Sequence, residues 1–404
     1  MTRRLELIAT AAFGLEAVVA RELQDLGYTE QQVEDGRVTF IGDELAICRC
    51  NLWLRSADRV LVKIGSFPAF DFGQLFDQVE ALPWHEWLQV DSRFPVSGKS
   101  VRSQLHHEPT IQAITKKAIV ESLKRSYERH WFQESGTEYQ VEVSILKDQV
   151  LVSLDTSGAG LHKRGYRAHG GGLAPLRETT AAALVLLSYW NRERPFLDPF
   201  CGSGTIAIEA ALIGRNRAPG LSRNFLCESW PQLTRLHWKE SREEARDKIL
   251  NKPKFPLIAS DIDDRVLRLA ETNTLQAGVA GDIEFRPMDV LELKTSLEFG
   301  VIITNPPYGE RMLDDESAAE IYDDMADAFE PLSTWSIYVL TSHPGFERLF
   351  RRRASRRRKL YNGRIECHYF QYLGPRPPWE ITKDDAEPVA NDDESPTNDD
   401  QHDS

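Results

Sequence analysis

Apolar and polar positions alternate along Leu5-Glu-Leu-Ile-Ala-Thr10. From Leu15 to Leu26 they switch to helical three- and four-residue spacing, which stops at Gly27. Val38 to Gly42 returns to the strand pattern, so residues 1–60 predict a small α+β module. In 61–155, Val60 to Gly65 and Arg93 to Ser97 read as strands, and Ile111, Ile114, Ala118, Val120 and Leu123 line one side of a helix between Pro109 and Arg129. Tyr139 to Ile145 and Gln149 to Leu154 predict a hairpin across Lys147-Asp148. Residues 156–176, with glycines at 158, 160, 165, 170, 171 and 172, predict a flexible connector. Leu176 to Leu187 predicts a helix that opens a third unit, 177–379. There strands at 195–198, 256–260, 282–286, 300–304, 335–341 and 365–372 alternate with helices, the pattern of a parallel α/β sheet. The gap 214–254 exceeds a standard connection and reads as an irregular insertion followed by a helix from Lys239 to Leu250.

A chain of 404 residues with 41% hydrophobic content suits two or three packed domains. No apolar run reaches the ~20 residues of a membrane span, and the start, Met1 to Glu6, lacks a secretion signal's apolar core. The five cysteines show no paired metal spacing, so Cys48 and Cys50 read as core positions. The expectation is a reduced cytoplasmic enzyme without a metal.

The net charge of −13 excludes little once it is located, because −9 of it lies in residues 380–404, a segment with few apolar groups that reads as a disordered, solvated tail. Lys116, Lys117 and Lys124 lie on the basic helix of the second unit, where phosphate contact and a plain solvated face weigh about equally. Lys163, Arg164, Arg167 and Arg177 stud the connector, placed to follow an RNA backbone. Arg351 to Lys359 holds seven bases in nine positions, Arg352 and Arg356 among them. It reads as a phosphate contact near the catalytic mouth, or else as a solvated helix end.

Candidate chemistry centres on two motifs. In Asp198-Pro-Phe-Cys-Gly202-Ser-Gly204-Thr205 a buried strand turns through glycines into an apolar helix, a cradle for a nucleoside cofactor. Asp198 can accept from the ammonium of a methionine moiety. Asp261, at the next strand's tip, can hold ribose hydroxyls, with Asp263 read as a helix cap. Asp289 can accept the adenine amino group while Val290 offers its backbone N–H. The second motif, Asn305-Pro306-Pro307-Tyr308, ends a buried strand in a rigid turn. The Asn305 side-chain carbonyl and the Pro306 backbone carbonyl can grip an exocyclic amine, with Tyr308 as a stacking face. Together the motifs point to S-adenosylmethionine-dependent methylation of a base nitrogen.

Leu161 to Arg167, Ala174 to Glu178, Leu197 to Ala211, Asn305 to Arg311 and Leu360 to Cys367 resemble the THUMP-containing guanine-N2 RNA methyltransferases, in particular a short bacterial form related to the large-subunit ribosomal RNA enzyme. The resemblance covers roughly residues 1–375. It implies a ferredoxin-like module, a THUMP RNA-binding domain and a Rossmann-like methyltransferase domain. It also implies cofactor binding by Asp198, Gly202, Gly204, Asp261 and Asp289, and guanine N2 held by Asn305, Pro306 and Tyr308. Arg311 joins Lys116, Lys117, Lys124, Arg164, Arg167, Arg352 and Arg356 as an expected RNA contact. RNA is the expected partner, ribosomal ahead of transfer RNA, with no membrane. The alternatives are a tRNA guanine-N2 enzyme, an adenine-N6 enzyme and a non-catalytic RNA assembly factor.

Overall fold

The computed structural model describes residues 3–167, 176–307 and 315–380. The chain begins β1 (Leu5–Ala11), α1 (Glu16–Asp25), β2 (Gln31–Glu34), β3 (Arg37–Gly42), α2 (Glu44–Trp53) and β4 (Ala57–Pro68). It continues through α3 (Phe72–Glu80), β5 (Val96–Val101), α4 (Glu108–Tyr127), β6 (Gln140–Leu146) and β7 (Gln149–Asp155). These strands make one seven-stranded sheet in the order β2-β3-β1-β4-β7-β6-β5. The boundary expected at 60/61 falls inside β4, which pairs with β1 on one side and with β7 on the other. The two N-terminal modules therefore share a continuous hydrogen-bond ladder. Residues 93–95 make only an isolated bridge from Arg93 to Glu138, and the strand there starts at Val96.

The third unit runs α5 (Glu178–Leu186), β8 (Phe196–Asp198), α6 (Thr205–Gly214), α7 (Arg235–Asp247), β9 (Leu257–Asp261), α8 (Asp264–Ala277), β10 (Ile283–Pro287) and β11 (Val301–Thr304). It ends α9 (Asp315–Phe329), β12 (Ser336–Thr341), α10 (Phe346–Leu349), β13 (Arg356–Asn362) and β14 (Ile365–Tyr372). The sheet order is β10-β9-β8-β11-β12-β14-β13. Its first five strands are parallel, and their apolar runs are buried by helices on both faces. Chain order reverses between β8 and β11, the switch point where the loops of an open α/β sheet part to admit a ligand.

Three expectations are corrected. Arg351 to Lys359 is not one helix end: Arg351 follows α10, and Arg356 onward is an edge strand, with Arg356, Arg357, Arg358 and Lys359 all exposed. The run of bases concealed the strand because, at a sheet edge, neither face of this stretch needs to be apolar. The insertion 214–254 starts irregularly and holds a helix, as expected, but the helix is Arg235–Asp247 rather than Lys239 to Leu250, and the segment is packed. Its Phe225, Cys227, Trp230, Leu233, Trp238 and Ala245 complete the core of the N-terminal sheet. Trp230 stacks on Tyr139 with centroids 4.6 Å apart, and its indole N–H donates to the Glu138 carbonyl. Finally, the described part of the connector, 156–167, is packed: Leu161, Arg164 and Tyr166 are buried. Leu15, which precedes α1, and Val18 of α1 in turn enter the core of the third unit beside Leu184, Leu360 and Tyr369.

Candidate active site

β8 and β11 lie side by side in parallel, with Leu197 opposite Ile302, so the loops after Asp198 and Thr304 leave the same end of the sheet. Thr304 ties them together, its hydroxyl donating to Asp198 Oδ1 at 2.8 Å. The Phe200 N–H donates to the same oxygen at 3.3 Å. Asp198 Oδ2 is buried and has no hydrogen-bond partner among the described residues. Native chains rarely leave a buried carboxylate oxygen unpaired, so an orphan at a strand end marks a ligand position.

The turn beyond it is open where a ligand needs room. Gly202 has φ +52°, and a Cβ there would meet nothing within 4 Å. Gly204 serves packing instead: at φ +81° its added Cβ would lie 3.0 Å from the Ala270 Cβ on α8. Asp261 braces the turn, its Oδ2 accepting from the Gly202 N–H at 2.9 Å and its Oδ1 from the Asp263 N–H at 3.0 Å. Each carboxylate oxygen keeps a further lone pair for a hydroxyl. Asp263 caps α8, as expected. Asp289 ends the β10 connection on the same side, with Oδ1 accepting from the Leu291 N–H at 2.9 Å and Val290 buried beside it. An orphaned carboxylate, an open glycine turn and two acids on successive strand ends fit an amino-acid-bearing nucleoside such as S-adenosylmethionine.

Asn305 stands next to Thr304, and its side-chain oxygen Oδ1 is also buried without a partner among the described residues. Pro306 and Pro307 hold Asn305 and Pro306 in extended backbone. The Tyr322 hydroxyl, on α9, donates to the Pro307 carbonyl at 3.4 Å and shares a 2.9 Å contact with Thr341 Oγ1. Thr304, Asn273 (which donates to the Ser203 carbonyl at 3.0 Å) and Tyr322 escaped the sequence reading. Nothing in a helical Asn or Tyr signals which loop it will meet. Tyr308 and Arg311 lie outside the described residues.

Burial pushes the Asp198 carboxyl up to about 7, with Asp261 adding repulsion and the Thr304 and Phe200 hydrogen bonds opposing. Between the ordinary value and about 7 the folded state binds this proton more tightly than the unfolded chain. Asp198 therefore contributes less to stability as pH rises through that window, while its attraction for an ammonium grows. Affinity for S-adenosylhomocysteine is expected to tighten about tenfold from pH 6 to 8 by calorimetry. Asp198→Asn should be about 10- to 100-fold weaker and pH-independent, the scale of one charge-assisted hydrogen bond. A flat pH profile in the unsubstituted protein would refute this role.

The expected RNA-binding residues divide. Arg164 is 3% exposed and donates to the Leu161 carbonyl at 2.6 Å and to the Arg55 carbonyl. It also faces Glu209 at 3.6 Å. Arg167 pairs with Glu178 at 3.1 Å and reaches the Leu176 carbonyl and Thr205 Oγ1. Both guanidiniums are turned toward partners within the chain and tie the connector to α5 and α6. Lys116 is held by Glu134 and the Phe94 ring, and Lys124 by Glu121, whereas Lys117 is exposed. Arg352 and Arg356 are exposed and make no ion pair among the described residues, though Arg352 lies over the Tyr372 ring.

Comparison with known proteins gives three family matches along the chain: the RlmL ferredoxin-like domain over 6–61, the THUMP domain over 69–155, and the RMKL-like methyltransferase domain over 164–371. The chain is 51% identical to YpsC of Bacillus subtilis (strain 168), a supposed RNA methyltransferase, over 92% of this chain and 96% of that one. A crystal structure described as a predicted N6-adenine-specific DNA methylase from Listeria monocytogenes str. 4b F2365 is 48% identical, with a TM-score of 0.88 over 92% of this chain and 97% of that one. SMU.472, a supposed methyltransferase solved in complex with SAH, is 44% identical, with a TM-score of 0.88 over 93% and 100%.

Proposed function

Because the chain belongs to the THUMP-containing, RlmL-like RNA methyltransferase family, we propose that it transfers a methyl group from S-adenosylmethionine to the exocyclic N2 amine of a guanine in large-subunit (23S) ribosomal RNA. The observation that carries this reading is that the buried Asn305 and Asp198 oxygens, at the ends of neighbouring strands β11 and β8, both lack partners among the described residues. The cofactor supplies an electrophilic methyl on a sulfonium. Asp198 holds its ammonium, Asp261 its ribose and Asp289 with Val290 its adenine.

The chain's own task is to make a poor nucleophile reactive. The lone pair of an exocyclic amine is delocalised into the base. Two acceptors, Asn305 Oδ1 and the Pro306 carbonyl, draw the two N–H bonds out of the ring plane and aim the lone pair across the mouth. As positive charge develops on nitrogen, both acceptors stabilise it without reorganising, since the prolines and Tyr322 fix the turn. The excess proton leaves to water afterwards, because the product ammonium is acidic. Tyr308 gives the flipped base a stacking face, and Lys117, Arg311, Arg352 and Arg356 supply phosphate contacts.

Guanine in ribosomal RNA is favoured by the RNA-binding N-terminal half and by the likeness of the 161–367 motifs to the guanine-N2 enzymes. The Listeria relative's description favours a second reading, adenine N6. Tritiated S-adenosylmethionine incubated with separate ribosomal and transfer RNA pools, followed by nucleoside analysis, decides between them. N2-methylguanosine from the ribosomal pool is expected. Label confined to transfer RNA replaces the substrate, and N6-methyladenine replaces the base.

A further inference from the structure

We infer that the notch between the β1–α1 loop and the tip of the β13–β14 hairpin holds an unpaired nucleobase of the RNA strand that carries the target. The inference rests on the RNA methyltransferase reading above and adds a second, non-catalytic base site to it.

The notch has a volume of about 350 Å³, within the range of small-ligand clefts. Two rings line it. Phe13 is 51% exposed and meets Tyr361 edge-on, with centroids 5.8 Å apart. Lys359 already lies over the Tyr361 ring at 5.6 Å, so the exposed Phe13, which Tyr361 meets only edge-on, offers the ring face on which a planar base can stack. Asp58 and Arg177 also line the notch, 4.0 Å apart, with the Thr179 hydroxyl donating to Asp58 at 3.3 Å. A carboxylate accepts from the N–H edge of a base, and an exposed guanidinium suits the neighbouring phosphate.

The walls are preformed. Gly14 has φ +89°, and a Cβ there would sit 2.8 Å from the Lys359 carbonyl, so the loop lies directly on the β13 backbone. Leu15 and Leu360 share one buried core. A phenylalanine exposed on so fixed a loop gains nothing by burial within the chain and is placed for a partner. Two rings and an ion pair are too small an apolar patch for a stable protein interface.

Position links the notch to the active site. β14 runs antiparallel to β12, with Thr341 opposite His368, so the hairpin tip extends past the catalytic end of the sheet. Arg177, in the notch, directly precedes α5. A strand whose target base enters beside Asn305 would lay a flanking base here.

The test combines ultraviolet cross-linking of the full chain to fragmented ribosomal RNA with steady-state kinetics on the same RNA. Mass spectrometry should find nucleotide adducts on Phe13 or Tyr361, and these adducts should persist in Asn305→Ala, which separates base capture from methyl transfer. Phe13→Ala should raise the KM for RNA about tenfold, the lower part of the range for one lost stacking contact, with the maximal rate lowered less than twofold. Phe13→Tyr should restore the KM and Phe13→Leu should not. Adducts found only elsewhere, or equal rescue by leucine, would overturn the inference. Failure of Asn305→Ala to lose methylation would instead strike at the proposed function, with the adducts unaffected.

Discussion

Asn305→Ala is expected to lower kcat about 10²- to 10³-fold while RNA affinity and S-adenosylhomocysteine affinity stay within twofold of the unsubstituted chain. The magnitude is that of removing one pre-aligned partner for developing charge. A side effect distinguishes this from damage to the fold. The Asn305 oxygen has no partner among the described residues, so its desolvation is already a cost to the folded chain. Alanine relieves that cost, and the thermal midpoint should not fall. Asn305→Asp should also be slow, although a carboxylate accepts hydrogen bonds, because its charge must be buried beside Asp198 at the Thr304 link. Single-turnover kinetics with saturating RNA isolate the methyl-transfer step. An alanine variant that retains the full single-turnover rate would remove the amine grip from the mechanism.

Arg164→Ala should cost about 3–5 kcal/mol of folding free energy, read as a shift in the guanidinium midpoint, because it strands a buried charge. Arg164 and Glu209 are both almost fully buried, and the Tyr166 hydroxyl donates to the same Glu209 oxygen at 2.9 Å. Burial keeps the Tyr166 phenol protonated, well above its ordinary value, so it remains a donor but cannot neutralise the carboxylate. The cluster joins three parts of the chain: Arg55 after α2, the connector, and α6, the helix that starts at the cofactor turn. Arg164→Lys should not rescue, since an ammonium lacks the fork that reaches two carbonyls and a carboxylate at once. Paired apolar replacement, Arg164→Met with Glu209→Leu, should recover most of the loss, because the desolvation cost of both charges disappears together. A fully stable Arg164→Ala with weakened RNA binding would restore Arg164 to the RNA-facing residues.

The two arginines of the connector show where sequence reading stops. Glycines and bases at 156–176 predict a flexible, RNA-following strand, and the composition is indeed that of a surface segment. Whether a guanidinium faces water or a glutamate two helices away depends on long-range packing. Glu209 lies 45 residues downstream on α6, inside an otherwise apolar stretch. The strand in the basic run at 351–359 was hidden for a related reason: a sheet edge tolerates charge on both faces, so the period-two signal that reveals other strands is erased. The insertion at 214–254 carried a visible clue in its aromatics, Phe225, Trp230 and Trp238, but no pattern says which sheet they complete.

The local sequence alone determined the parallel α/β unit, its glycine turn, the acids at strand ends and the Asn-Pro-Pro corner. Those features are written in short-range periodicity and in the restricted torsions of glycine and proline, which need no distant partner. Only the tertiary structure decided that β4 carries both N-terminal modules, that Thr304 joins the two reactive loops, and that Arg164 and Arg167 face inward while Phe13 faces out. Each of those depends on contacts between residues far apart in the chain, whose energies are set by desolvation and by which charge happens to lie opposite.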